Sequence, residues 1–143
     1  MEIRTRSKAV SIIVIFALAL FAIVGIASSP NAPLGNTNVS SEADAASFLL
    51  ELGWETNTER ITAKQTSLPA EFDETFIEYN TLQIQQGCDL SPYAGKSVVI
   101  YTAEIINYSS TDTVYATIIV YRGNVIGGDI HSASMDGFMH TLK

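Results

Sequence analysis

One cysteine in 143 residues excludes an intramolecular disulfide. An odd cysteine in an exported protein is either a buried thiol or one half of an intermolecular bridge. Cys88 lies between Gly87 and Asp89. An acidic neighbour raises a thiol pKa, which argues against a nucleophile and for a packing role. The chain also has no Gly-x-Ser-x-Gly elbow, phosphate loop, haem motif or calcium loop, so the common catalytic and nucleotide-binding chemistries have no signature here. Cations are scarce beyond the N-terminus. After residue 8, fourteen acidic residues face Arg60, Lys64, Lys96, Arg122 and Lys143, a balance of −9 in a chain whose total is −7. That charge repels nucleic acid and anionic lipid surfaces and leaves neither as an expected partner. No internal repeat is visible.

What the chain does have is a long apolar run. Ala9 to Ala27 is interrupted only by Ser11, follows Arg4, Arg6 and Lys8, and is closed by Ser28-Ser29-Pro30. At about 1.5 Å per residue a helix of this length spans roughly 28 Å, close to the hydrocarbon thickness of about 30 Å. The basic flank keeps residues 1–8 in the cytoplasm and sends the rest across. The expected organisation is a cytoplasmic tail over 1–8, a transmembrane helix over 9–27, a flexible linker over 28–40 and an extracytoplasmic domain over 41–143. The competing reading is a cleaved signal peptide, with Gly25-Ile26-Ala27 as the small-x-small site and a secreted product. A lipoprotein is not expected, because no cysteine closely follows the apolar run to accept a lipid and Cys88 lies far downstream.

The remaining residues suit one core. Ser41 with Asp44 has the form of a capping box, Ala45, Phe48, Leu49 and Leu52 make a helical stripe, and Gly53 stops it. Residues 59–68 read as a strand with β-branched Ile61, Thr62 and Thr66. Pro69 is placed at the first turn of a second helix whose stripe runs Phe72, Phe76, Tyr79, Leu82 and Gln83 to Gly87. Residues 97–107, 113–121 and 125–132 then form a strand meander across short turns. In the first of these strands the face carrying Val98, Ile100, Thr102 and Glu104 is taken as the solvent side. The expectation is an α+β domain in the order α-β-α-β-β-β. About four antiparallel strands form its sheet, with both helices packed on one face, after the N-terminal transmembrane helix.

The order of several short motifs resembles a known family. Leu52-Gly53-Trp54, Leu68-Pro69-x-x-Phe72, Tyr79-Asn80-x-Leu82-Gln83-x-x-x-Gly87-x-Asp89-Leu90 and Val125-Ile126-Gly127-Gly128-Asp129-Ile130 leading to Asp136-Gly137-x-Met139 are similar to the bacterial family called domain of unknown function 4830. The resemblance covers about residues 42–143. It implies an anchor or signal, a tether and one small domain in Gram-positive (Firmicute) proteins. It carries no assigned activity and adds no catalytic residue.

The chemistry-bearing residues concentrate in 127–140. On a continuing strand Asp129 and His131 project from one face, and on a helical turn Asp136 and His140 do the same. If the two pairs converge, Asp129, His131, Asp136 and His140 form an N/O ligand set for a divalent metal; no other cofactor is implied. The plainer reading is a glycine bulge at Gly127-Gly128 and a polar chain end. A ligand groove is placed where this strand meets the 89–95 loop, with Tyr93, Tyr101 and Asp129 as its candidates. With no catalytic residue identified, the expected function is a membrane-tethered binding or regulatory module of the bacterial cell envelope, with an envelope protein as partner. The alternatives are a metal-assisted envelope enzyme and a structural accessory subunit.

Overall fold

The computed structural model describes residue 34 and residues 37–143. The expected tail and transmembrane helix, residues 1–27, lie outside the described residues, as does most of the expected linker. Among the described residues no helix is long and apolar enough to cross a membrane. The elements are α1 (Glu42–Glu51), β1 (Thr62–Ser67), α2 (Glu74–Gln85), β2 (Ser97–Ile105), β3 (Val114–Tyr121), β4 (Asn124–Ser132) and β5 (Met139–His140). Short 3-10 turns occupy Thr58–Arg60 and Ser91–Tyr93. The fold is α+β. Its one sheet is antiparallel throughout and runs in chain order, β1-β2-β3-β4-β5.

Local chemistry sets the helix ends. Ser41 Oγ accepts the Asp44 N–H at 3.1 Å, while the Asp44 carboxylate accepts from the backbone N–H and hydroxyl of Ser40. Those bonds hold the Asp44 carboxyl below its usual range. Asp73 caps α2 by accepting from the Phe76 N–H at 2.8 Å. The helix therefore starts well after Pro69. Residues 68 and 69 are still bound to the lead-in of β2, with the Leu68 N–H on the Lys96 carbonyl and the Pro69 carbonyl accepting from Gly95. Both helices stop where Gly53 and Gly87 take positive φ, +95° and +80°.

The register corrects the expectation that both helices share a face. Ile100 opposes Ile119 and Tyr101 opposes Ile118, and successive strand residues point to opposite sides. Ile100 and Ile119 pack with Phe76, Tyr79 and Leu82 of α2. Tyr101 and Ile118 pack with Ala45, Phe48 and Leu49 of α1. The helices thus cover opposite faces. The cause lies in β3, whose Ile118 and Ile119 are both buried, so the sheet needs apolar cover on each side. The supposed solvent face of β2 is likewise corrected. Val98 and Ile100 are buried beneath α2, and only the far end is open, where Glu104 meets Arg60 at 3.3 Å.

Two ends of the domain differ from expectation. Among the described residues paired backbone begins at Thr37, ahead of Ser41. The Val39 N–H bonds the Gly123 carbonyl, the Val125 N–H bonds the Thr37 carbonyl, and both Leu34 and Val39 are buried. At the other end, residues 136–140 do not make a helical turn. Gly137 closes a turn onto the Ser134 carbonyl, and Met139–His140 then adds a fifth strand against Ile130 and His131.

Candidate functional site

β4 is buried along nearly its whole length, yet it carries a carboxylate. Asp129 is fully buried on the α2 side. Tyr79, from the core stripe of α2, donates its hydroxyl to Asp129 Oδ2 at 2.7 Å. His131, two residues along the same face, sets Nδ1 2.7 Å from Asp129 Oδ1. A carboxylate accepts, so this arrangement places an imidazole proton on Nδ1. Nε2 has no hydrogen-bond partner among the described residues, and the Tyr115 ring lies 5.9 Å from the imidazole. Burial, and then the neighbouring Asp129 charge, push the Tyr79 hydroxyl well above its ordinary value.

One helical turn further on, two glutamines complete the outer edge of β4. Gln83 Oε1 accepts the Gly128 N–H at 2.8 Å, and Gln86 Nε2 donates to the Gly128 carbonyl at 2.7 Å. The amides are joined to each other at 2.7 Å, and Gln86 Oε1 accepts the Leu142 N–H at 3.0 Å. Side chains here take the place of a neighbouring strand, which β5 is too short to supply. Gly127 allows the close approach of Gln83, since a Cβ there would lie 2.8 Å from Gln83 Oε1, and a Cβ on Gly128 would collide with the Thr117 carbonyl and the Leu142 side chain. Sequence reasoning missed the glutamines' role. Its one signal was a glutamine, Gln83, inside an otherwise apolar stripe.

The other proposed site residues are dispersed. Asp129 opposes Thr117 and Tyr101 opposes Ile118, so Asp129 and Tyr101 lie on opposite faces of the sheet. Tyr101 is buried on the α1 side, where burial, Glu42 and Asp44 raise its hydroxyl. Tyr93 packs edge-on against Tyr121 at 5.1 Å on the α2 side. The 89–95 loop is folded onto α2 rather than forming a groove wall: Asn80 donates to Asp89 and accepts the Leu90 N–H.

His140 opposes Ile130, which puts it on the face away from Asp129 and His131. Its Nε2 accepts from the Tyr108 hydroxyl at 2.8 Å and its Nδ1 donates to the Thr141 carbonyl at 2.7 Å. Asp136 stands exposed on the loop before β5. The structure therefore joins Asp129 with His131 and leaves Asp136 and His140 apart from them. Among the described residues no three His, Cys, Asp or Glu side chains are grouped to hold a metal. Cys88 is buried in the α1-side core, and burial raises its thiol.

His140 belongs instead to a half-buried aromatic layer. Tyr108 lies 5.6 Å from Trp54, 5.0 Å from Phe138 and 5.7 Å from His140 between ring centres. Trp54 Nε1 donates to the Leu142 carbonyl at 2.7 Å, tying the layer to the C-terminus. Beside Trp54 an open groove of about 310 Å³ runs between the outer side of α1 and residues 54–58. Ala46, Ser47, Leu50, Trp54, Glu55 and Ile106 line it. Leu50 and Ile106 are 62% and 58% exposed.

The groove lies at the end of the sheet where β2 finishes and β3 starts. The first described residues join the opposite end, at the β3–β4 turn. The eight residues of β3 between them correspond to roughly 25 Å at about 3.3 Å per residue. The family model for Domain of unknown function (DUF4830) matches residues 48–130. That range takes in Leu50, Trp54, Tyr79, both glutamines and Asp129. No curated protein and no solved structure matches the chain.

Proposed function

The chain belongs to the DUF4830 family, and from that premise we propose that it is a binding or regulatory module of the bacterial cell envelope. Residues 9–27 hold it to the membrane and the domain acts outside the cytoplasm. The single observation that carries the binding role is the groove beside Trp54, where two large aliphatic side chains flank an aromatic one at the surface. The apolar run after Arg4, Arg6 and Lys8 supports the tether and its direction. The groove lies at the end of the sheet away from the first described residues.

The test uses the full chain in living bacteria. A photo-crosslinking side chain at position 50 yields a protein adduct, one at exposed position 77 on α2 does not, and protease added to intact cells removes the domain. Absence of an adduct at 50, equal adducts at both positions, or a protected domain would overturn the proposal.

A second reading, an envelope enzyme, is favoured by one observation. Asp129 holds His131 in the tautomer a general base requires and leaves Nε2 unpartnered. Among the described residues no serine or cysteine is hydrogen-bonded to that nitrogen, and water is the nucleophile such a base would activate.

A further inference from the structure

We propose that the groove beside Trp54 takes the apolar face of a basic peptide segment from a partner protein; this rests on the binding-module reading and names its ligand. Five large apolar side chains stand exposed among the described residues, and two of them, Leu50 and Ile106, flank this one groove. Its volume of about 310 Å³ is at the bottom of the range for small-molecule sites, about 300–1,000 Å³, and those sites enclose most of their ligand. An open groove of this size suits a few side chains presented on a segment of chain, the arrangement by which amphipathic peptides anchor in grooves.

The charge around the groove selects the sign of that segment. Glu55 lies on the wall. Glu51 follows Leu50 and Glu59 follows Thr58, and all three glutamates are exposed. None has an ion-pair partner among the described residues. The nearby cation, Arg60, is already held by Glu104 at 3.3 Å. A partner bearing Lys or Arg beside its apolar face would supply the missing counter-charges, whereas an acidic segment or an anionic lipid surface would be repelled.

Trp54 is the one tryptophan in the chain, so its emission reads occupancy of the groove directly. The experiment titrates the full chain, in nanodiscs of zwitterionic lipid, with a short amphipathic peptide of leucine and lysine. A matching leucine–glutamate peptide serves as control. The expected result is a saturable shift of Trp54 emission with the lysine peptide alone, weakening as salt is raised. Glu55→Lys and Leu50→Asp should each weaken the apparent Kd about tenfold or more, a change of about 1.4 kcal/mol. Glu55→Gln should fall between, and Ile77→Asp on α2 should change nothing.

A shift of equal size with the glutamate peptide, or an unchanged Kd in Glu55→Lys, would overturn the proposal. So would a Trp54 shift produced by lipid vesicles alone, which would assign the groove to a membrane surface. If the lysine peptide is inert while the crosslink from position 50 persists, the basic-segment inference fails by itself. If both fail, the binding-module reading fails with it.

Discussion

Tyr79 and Asp129, fifty positions apart in sequence, meet across the α2–β4 contact in a buried hydrogen bond of 2.7 Å. The bond satisfies one oxygen of a carboxylate that has no access to water, and His131 satisfies the other. A buried carboxylate is tolerated only when its lone pairs are met. This triad is therefore a condition for the fold of β4 whatever else it does.

Tyr79→Phe keeps the ring packing against Phe76 and removes only the hydroxyl. It leaves Asp129 Oδ2 buried without its donor, a loss of about 1–3 kcal/mol. Urea unfolding at neutral pH should show a lower midpoint with an unchanged slope. An unaltered midpoint would mean that water reaches Asp129 and that the bond is dispensable.

The same burial fixes the alkaline limit. The Tyr79 hydroxyl is raised well above its ordinary 10.0, and the Cys88 thiol is raised above its ordinary 9.0. For groups raised in the folded state the unfolded chain loses its protons first. Their stabilisation is complete below the unfolded pKa and is lost as pH rises through the folded one. Stability should begin to fall near pH 9 through Cys88 and fall more steeply above pH 10 through Tyr79. Cys88→Ala should remove the first part of the slope, and Tyr79→Phe should lessen the second, leaving the share of Tyr101 and Tyr108, whose hydroxyls burial also raises. Thermal melts between pH 8 and pH 11 measure it, and parallel curves for wild type and both variants would contradict it.

The glutamine edge predicts a local effect distinct from global loss. Gln86→Leu removes the donor to the Gly128 carbonyl and the acceptor for the Leu142 N–H, both buried. The expected cost is about 1–3 kcal/mol, with amide hydrogen exchange accelerated at Leu142 more than at β2 or β3. Uniform acceleration across the sheet would show that the edge and the core open together.

What could be read from the sequence depended on the range of the interaction. The Ser41 cap, the glycine stops at Gly53 and Gly87 and the meander after Ser97 are local, and the residues that make them are neighbours. Asp129 and His131 were placed on one face correctly because strand alternation needs only their spacing. Tyr79 appeared in the sequence as one more aromatic in a stripe, since nothing within α2 indicates a carboxylate waiting on β4. The groove expected between the Gly127-Gly128 strand and the 89–95 loop joins Tyr101 to Asp129, while the register between β2 and β4 through β3 puts them on opposite sides. β5 is two residues long, too short for any alternation to reveal. Its pairing with Ile130 turns His140 away from the metal set imagined for it and into the aromatic layer with Tyr108.

Gly128 tests how closely β4 packs against β3 and against Leu142. A methyl group there would press on the Thr117 carbonyl, which is backbone and cannot turn aside, and on Leu142, which is fully buried. Overpacking of this kind costs about 1–3 kcal/mol or more. Gly95→Ala meets only Ala70 at 3.7 Å but takes a positive φ of +72°, so it is strained without a collision. Gly128→Ala should therefore lower the melting temperature and also disturb the distant Trp54–Leu142 bond, because Leu142 is the side chain that must move. A red shift of Trp54 emission in Gly128→Ala but not in Gly95→Ala is the expected outcome. Equal emission in the two variants would mean that Leu142 yields without carrying the C-terminus with it.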